Sequence, residues 1–176
     1  MRIETSMLVC GVLFCLPLLA RSDTHGRSRT PANDQEFLRT AAESDMLHAH
    51  LGQLAEKNST KRGVRDLGQE ISQRDQADYR AVSVLAGKIG ETIPKAIDDQ
   101  GDKVIERISR LRGSSFDRAF IQEIIQSDKK ELADFEYEAE HAQNPNVKSY
   151  ASGALPALKL HLYEAQDWVK YGKGKK

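Results

Sequence analysis

Five side chains in this sequence combine a chemistry-bearing type with a place on an apolar helical stripe: Asp45, His48, Asp75, Asp128 and His161. His161 poses the question most sharply. It falls among Val147, Tyr150, Ala151, Ala154, Leu158, Leu162, Ala165 and Trp168, which recur at three- and four-residue steps and mark one buried face. A titratable ring aimed at a core must be hydrogen-bonded, metal-bound or neutral. Imidazole and carboxylate donors converging from four helices suit one divalent metal ion. The same groups, bonded to one another or set at helix edges, would fix helix register and bind nothing. The sequence favours this second reading, so no cofactor is expected and one divalent ion is the alternative.

The other histidines carry less. His48 and His50 lie about 200° apart on a helix and do not share a metal, which leaves His50 on the surface. His25 and His141 sit in a leader and beside a turn, without evident partners. Glu136, Glu138 and Glu140 alternate along a charged stretch and read as solubility. There is no G-x-S-x-G, P-loop, dinucleotide-binding glycine pattern or H-E-x-x-H, so no motif supports a hydrolase, a nucleotide enzyme or a zinc protease. The expectation is a binding or structural protein and not an enzyme.

Four long helices are needed to position these side chains. Asn33 or Asp34 can cap the first, which runs to about Lys57 on Phe37, Leu38, Ala41, Ala42, Met46, Leu51, Leu54 and Ala55. After a turn at Asn58, Ser59, Thr60 and Gly63, a second helix follows to about Lys88. Gly90, Pro94 and Gly101 break the pattern, and Val104, Ile105, Ile108 and Leu111 suggest one short helix in a crossover. Ser114 or Ser115 then precedes a third long helix. The turn Asn144-Pro145-Asn146 leads into the fourth, which Pro156 should bend. Two short turns around one long connection describe an all-α four-helix bundle, two antiparallel hairpins joined by a crossover.

A repeat supports the two hairpins. Adding 83 to a residue number carries Asp34 to Asp117, Phe37 to Phe120, Ser44 to Ser127, Asp45 to Asp128 and Val64 to Val147, without a gap. Pseudo-twofold symmetry is the expected consequence.

At the amino terminus, an apolar run from Met7 to Ala20 follows Arg2 and ends in small residues. It is too short for a bilayer core of roughly 30 Å, which needs about 20 residues, and reads as a secretory signal at 1–22. Cleavage is expected after Ala20 or Ser22. Cys10 and Cys15 leave with it, so the mature chain would have no thiol. Residues 23–32 form a polar leader, 33–169 the bundle, and 170–176 a basic tail capable of weak contact with an anionic membrane surface. Lys+Arg and Asp+Glu both number 26, which argues against nucleic acid as a partner. The periplasm or cell envelope is the expected location, with another envelope component or the chain itself as partner.

The runs DQEFLRTAAESDMLHAHLGQLAEKNSTKRGVRDLGQEI, FDRAFIQEIIQSDKKELADFEYEA and NPNVKSYASGALPALKLHL resemble the bacterial family known as domain of unknown function 4142, over about Asn33 to Trp168. That resemblance implies a ferritin-like fold and an exported, often envelope-associated protein, and it supplies no reaction. Where such proteins commonly carry Asp-His, this chain has Arg74-Asp75 and Ser127-Asp128, while the histidine of the L-P-x-L-K-x-H motif is kept as His161. A ferritin-like di-iron site needs two Glu-x-x-His pairs. The counterparts here are Asp75-x-x-Asp78 and Leu158-x-x-His161, and leucine cannot ligate. A complete di-iron oxidase site is not expected.

Overall fold

The computed structural model describes residues 33–171, and among them every regular element is a helix. The helices are α1 Asp34–Asn58, α2 Arg62–Ile89, α3 Asp99–Ser109, α4 Gly113–His141 and α5 Pro145–Tyr171. The signal-like run, the leader and residues 172–176 of the tail lie outside the described residues. None of the described helices is long and apolar enough to cross a membrane.

Local chemistry sets the helix ends. Asn33 caps α1, its side-chain oxygen accepting from the Glu36 N–H at 2.8 Å, and Asp98 caps α3 through the Gly101 N–H at 2.7 Å. Gly90 ends α2 at φ 78°, a left-handed turn that a side chain would resist. The start of α4 differs from expectation. It begins at Gly113, ahead of Ser114 and Ser115, because Gly113 turns the chain at φ 56°. Pro156 lies inside α5 on its exposed side, where its missing N–H deprives no buried partner.

Helices α1 and α2 form one hairpin, α4 and α5 the other, and the two meet chiefly through α1 against α4. The short α3 packs on both of those helices and buries Ile108 completely. Glycines bring α1 and α2 unusually close: a methyl group at Gly52 would strike the Gly68 carbonyl, and one at Gly68 would strike Ala55 and the Gly52 backbone. Each hairpin also holds the other's turn. Asp34 accepts from the N–H groups of Gln143 and Asn144 at 2.9 and 2.6 Å, and Asp117 accepts from Ser59 Oγ at 2.6 Å and pairs with Lys61 at 3.6 Å. These two aspartates are the pair related by the 83-residue repeat, and they make reciprocal contacts.

The core is split in two. One cluster, around Phe37, Leu38, Val82, Phe135 and Val147, fills the end near the α4–α5 turn. The other, around Leu51, Val64, Ile71, Phe116, Phe120 and Ile124, fills the end near the α1–α2 turn. Between them each hairpin interrupts its apolar stripe with polar residues. Two readings of the charged surface need correction. Glu138 is buried at 2% exposure, and the loss of water, then its neighbour Asp34, pushes its carboxyl up to about 7. His141 is exposed but partnered, stacking on Tyr137 at 4.1 Å and meeting the Tyr137 carbonyl through Nδ1.

Candidate metal centre

The polar layer between the two cores is supplied by α1, α2, α4 and α5. In α1 it is Ser44, Asp45 and His48; in α2 it is Ser72, Arg74, Asp75 and Asp78; in α4 it is Ser127, Asp128 and Glu131; and α5 contributes His161. Asp45, His48, Asp75 and Asp128 are 1–4% exposed. The i, i+3 spacing of Asp45-His48, Asp75-Asp78 and Asp128-Glu131 aims each pair at the same level of the bundle.

Two groups of three donors result. His48, Asp128 and Glu131 bring one ligating atom each to within 4.8 Å of one another, as do Asp45, Asp75 and Asp78. The groups adjoin, because His48 Nδ1 lies 3.7 Å from Asp75 Oδ2 and 4.0 Å from Glu131 Oε2. A hollow of about 290 Å³ between α1, α3 and α4 reaches Glu131, Ser44 and Ser127, and one of about 600 Å³ on the other flank of α1 reaches Asp45 and Asp75.

Hydrogen bonding fixes the His48 ring. Ser127 Oγ lies within reach of the α4 carbonyls of Glu123 and Ile124, at 2.9 and 3.3 Å, and donates its one proton there. At 2.5 Å from His48 Nε2 that oxygen is then an acceptor, so Nε2 carries the ring hydrogen and Nδ1 presents a lone pair. Burial holds His48 below its ordinary pKa, in the neutral form. Nδ1 therefore faces the carboxyl groups of Asp75 and Glu131, and a proton or a cation is what suits the space among them.

The carboxyls answer with protons. Burial, then the charges of Glu131, Asp75 and Asp78, raises Asp45 to about 10. Burial, then Asp75 and Asp128, raises Glu131 to about 8, and Ser44 donates to its Oε2 at 3.2 Å. Burial raises Asp128 as well, with neighbouring His48 and Arg74 opposing it. Asp75 rises only to about 6, since Arg74 restrains the effect of burial. One buried oxygen in each group, Asp45 Oδ2 and Asp128 Oδ2, has no hydrogen-bond partner. A buried unpaired carboxylate oxygen costs on the order of 1–3 kcal/mol or more, which a ligated cation recovers.

Of the five residues singled out from the sequence, four fall into these two donor groups. His161 does not join either group: it is half-buried, its Nδ1 is buried without a partner, and burial lowers its pKa to about 4. It borders a small gap beside Arg74 and Asp128. Glu131 and Asp78 complete the two groups and were not among the five. The 83-residue shift carries His48 onto Glu131, a signal that could have found it. His50 is half-buried beside the larger hollow.

The family model described as "Domain of unknown function (DUF4142)" matches residues 20–168. The chain belongs to the DUF4142 family. No curated protein and no solved structure matches it. Membership of DUF4142 carries no reaction with it, so chemistry has to be argued from the layer itself.

Proposed function

We propose that this DUF4142 chain is a divalent-metal-binding helical-bundle protein, with the ion held in the buried layer between the two cores. Of the two readings set out from the sequence, the geometry favours this one over a ligand-free polar layer. The observation that carries it is the placing of the His48 ring, whose Nε2 lies against Ser127 Oγ while its Nδ1 faces Asp75 and Glu131. An imidazole whose outer nitrogen is hydrogen-bonded and whose inner nitrogen faces carboxylates is the usual arrangement of a metal-ligating histidine. The orphaned oxygens of Asp45 and Asp128 support the same reading. His48, Asp128 and Glu131 offer one nitrogen and two oxygens, a donor set that suits Fe²⁺, Mn²⁺ or Zn²⁺.

The two-hairpin architecture with its helical crossover supports a ferritin-like assignment as part of this proposal. Export to the periplasm or envelope, supported by the Met7–Ala20 run, belongs to it too. The role is binding, with no reaction assigned. The test is calorimetric titration of chelator-stripped protein with Mn²⁺ and Zn²⁺, on the wild type, His48→Ala and His161→Ala. Stoichiometric binding that is lost in His48→Ala and kept in His161→Ala is expected. Absence of saturable binding in the folded wild type would overturn the reading.

A further inference from the structure

This inference rests on the metal-binding reading and concerns how many ions the layer takes. The chain supplies one cation to the layer itself, Arg74. Its Nε donates to Asp75 Oδ1 at 3.0 Å and its Nη2 to Asp75 Oδ2 at 3.3 Å, so both oxygens of that carboxylate already have a cationic partner. The guanidinium is not a surface group swinging in water. The side chain is 20% exposed, and with Asp128 and His161 it borders a gap of about 10 Å³, room for one water at most.

The two donor groups are therefore unequal. The Arg74 hydrogen bonds go to Asp75 and to none of His48, Asp128 and Glu131, and in that group Asp128 Oδ2 is buried without a partner. In the all-oxygen group Asp75 is engaged by Arg74 and Asp78 is partly open to solvent, which leaves Asp45 Oδ2 as the one buried oxygen without a partner.

We propose that the layer takes one divalent ion, at His48, Asp128 and Glu131, and that Arg74 keeps an adjoining second position, formed by Asp45, Asp75 and Asp78, closed by occupying Asp75. Three carboxylates with no nitrogen make that masked position one for a hard cation of the Mn²⁺ or Mg²⁺ class. Because Asp75 Oδ2 lies 3.7 Å from His48 Nδ1, ions in both positions would be near neighbours.

Mn²⁺ suits both donor sets and is the probe. Equilibrium dialysis and electron paramagnetic resonance on the full mature chain should give one equivalent in the wild type with an isolated-ion spectrum. Arg74→Gln should take two equivalents with a spin-coupled spectrum, and the double variant Arg74→Gln/Asp78→Asn should return to one. Asp78→Asn alone tests the assignment without removing the guanidinium: it leaves the His48 group intact and should keep one equivalent. Two equivalents in the wild type, one in folded Arg74→Gln, or none in folded Asp78→Asn would overturn the inference. A wild type and an Arg74→Gln that both bind one ion would leave the metal reading standing and remove this inference alone; two proteins that bind none would remove both.

Discussion

Glu131→Gln separates what the layer does for binding from what it costs in stability. Glu131 is raised from an ordinary 4.5 to about 8, mainly by burial. Below pH 4.5 the folded and unfolded states both carry the proton and the group is neutral for folding. Above that, the unfolded chain releases its proton while the buried side chain keeps it, so the folded state loses ground as pH rises, until about pH 8. At pH 7 the difference spans roughly 2.5 pH units at about 1.4 kcal/mol each, or about 3 kcal/mol against the apo fold. Glutamine keeps the size and the acceptor for Ser44 and has no proton to lose. The metal-free variant should therefore exceed the wild type by up to about 3 kcal/mol at pH 7, with the gain closing toward zero at pH 4. Urea unfolding followed by far-UV circular dichroism, in chelator across pH 4–8, measures it. Mn²⁺ at about a thousandfold excess over Kd should reverse the order: the wild type gains about 4.1 kcal/mol and the variant gains nothing. A variant less stable than the wild type at pH 7, or more stable by the same amount at every pH, refutes the reasoning.

Three further outcomes follow from the same physics. Binding must expel the proton on Glu131, so Mn²⁺ affinity should climb about tenfold per pH unit from 6 to 8 and then level, and calorimetry in buffers of different ionisation enthalpy should detect close to one proton released at pH 7. Gly68→Ala puts a methyl group into Ala55 and the Gly52 backbone and should cost about 1–3 kcal/mol, whereas Gly87→Ala, with open space around it, should stabilise by up to about 1 kcal/mol; urea midpoints of the two variants should move in opposite directions. Glu138, raised to about 7 by burial and by Asp34, should make melting temperature fall as pH rises from about 4.5 to about 7, and Glu138→Gln should flatten that part of the profile.

Much of the fold was legible because it rests on short-range rules. Apolar periodicity located the long helices, Asn33 sat where a cap belongs, and the glycine and proline breaks left room for a short helix around Ile108. The start of α4 was misread because serines are good caps, and the left-handed φ available to Gly113 decided the matter instead. In the site, Asp45, His48, Asp75 and Asp128 could be found from their stripes. Glu131 was hidden because a glutamate beside two lysines looks like solvent-facing charge, and Glu138 was hidden in the same way by Glu136 and Glu140. A helical wheel ranks faces within one helix; it does not show where α1 and α4 press together and bury the edge of each face. His161 shows the converse, since its stripe is real but α5 stands back from the groups formed by the other three helices.

The seam between the hairpins gives the donor arrangement a mechanical meaning. Aside from the two reciprocal aspartates at the turns, the halves adhere mostly where α1 lies on α4, and His48 stands on one side of that seam with Asp128 and Glu131 on the other. A cation captured there is a clasp fastened midway along the joint, tying halves that the chain itself links only through the crossover. Loading and unloading would then be felt along the whole seam, so that a buried ion tightens or loosens the grip of one half on the other.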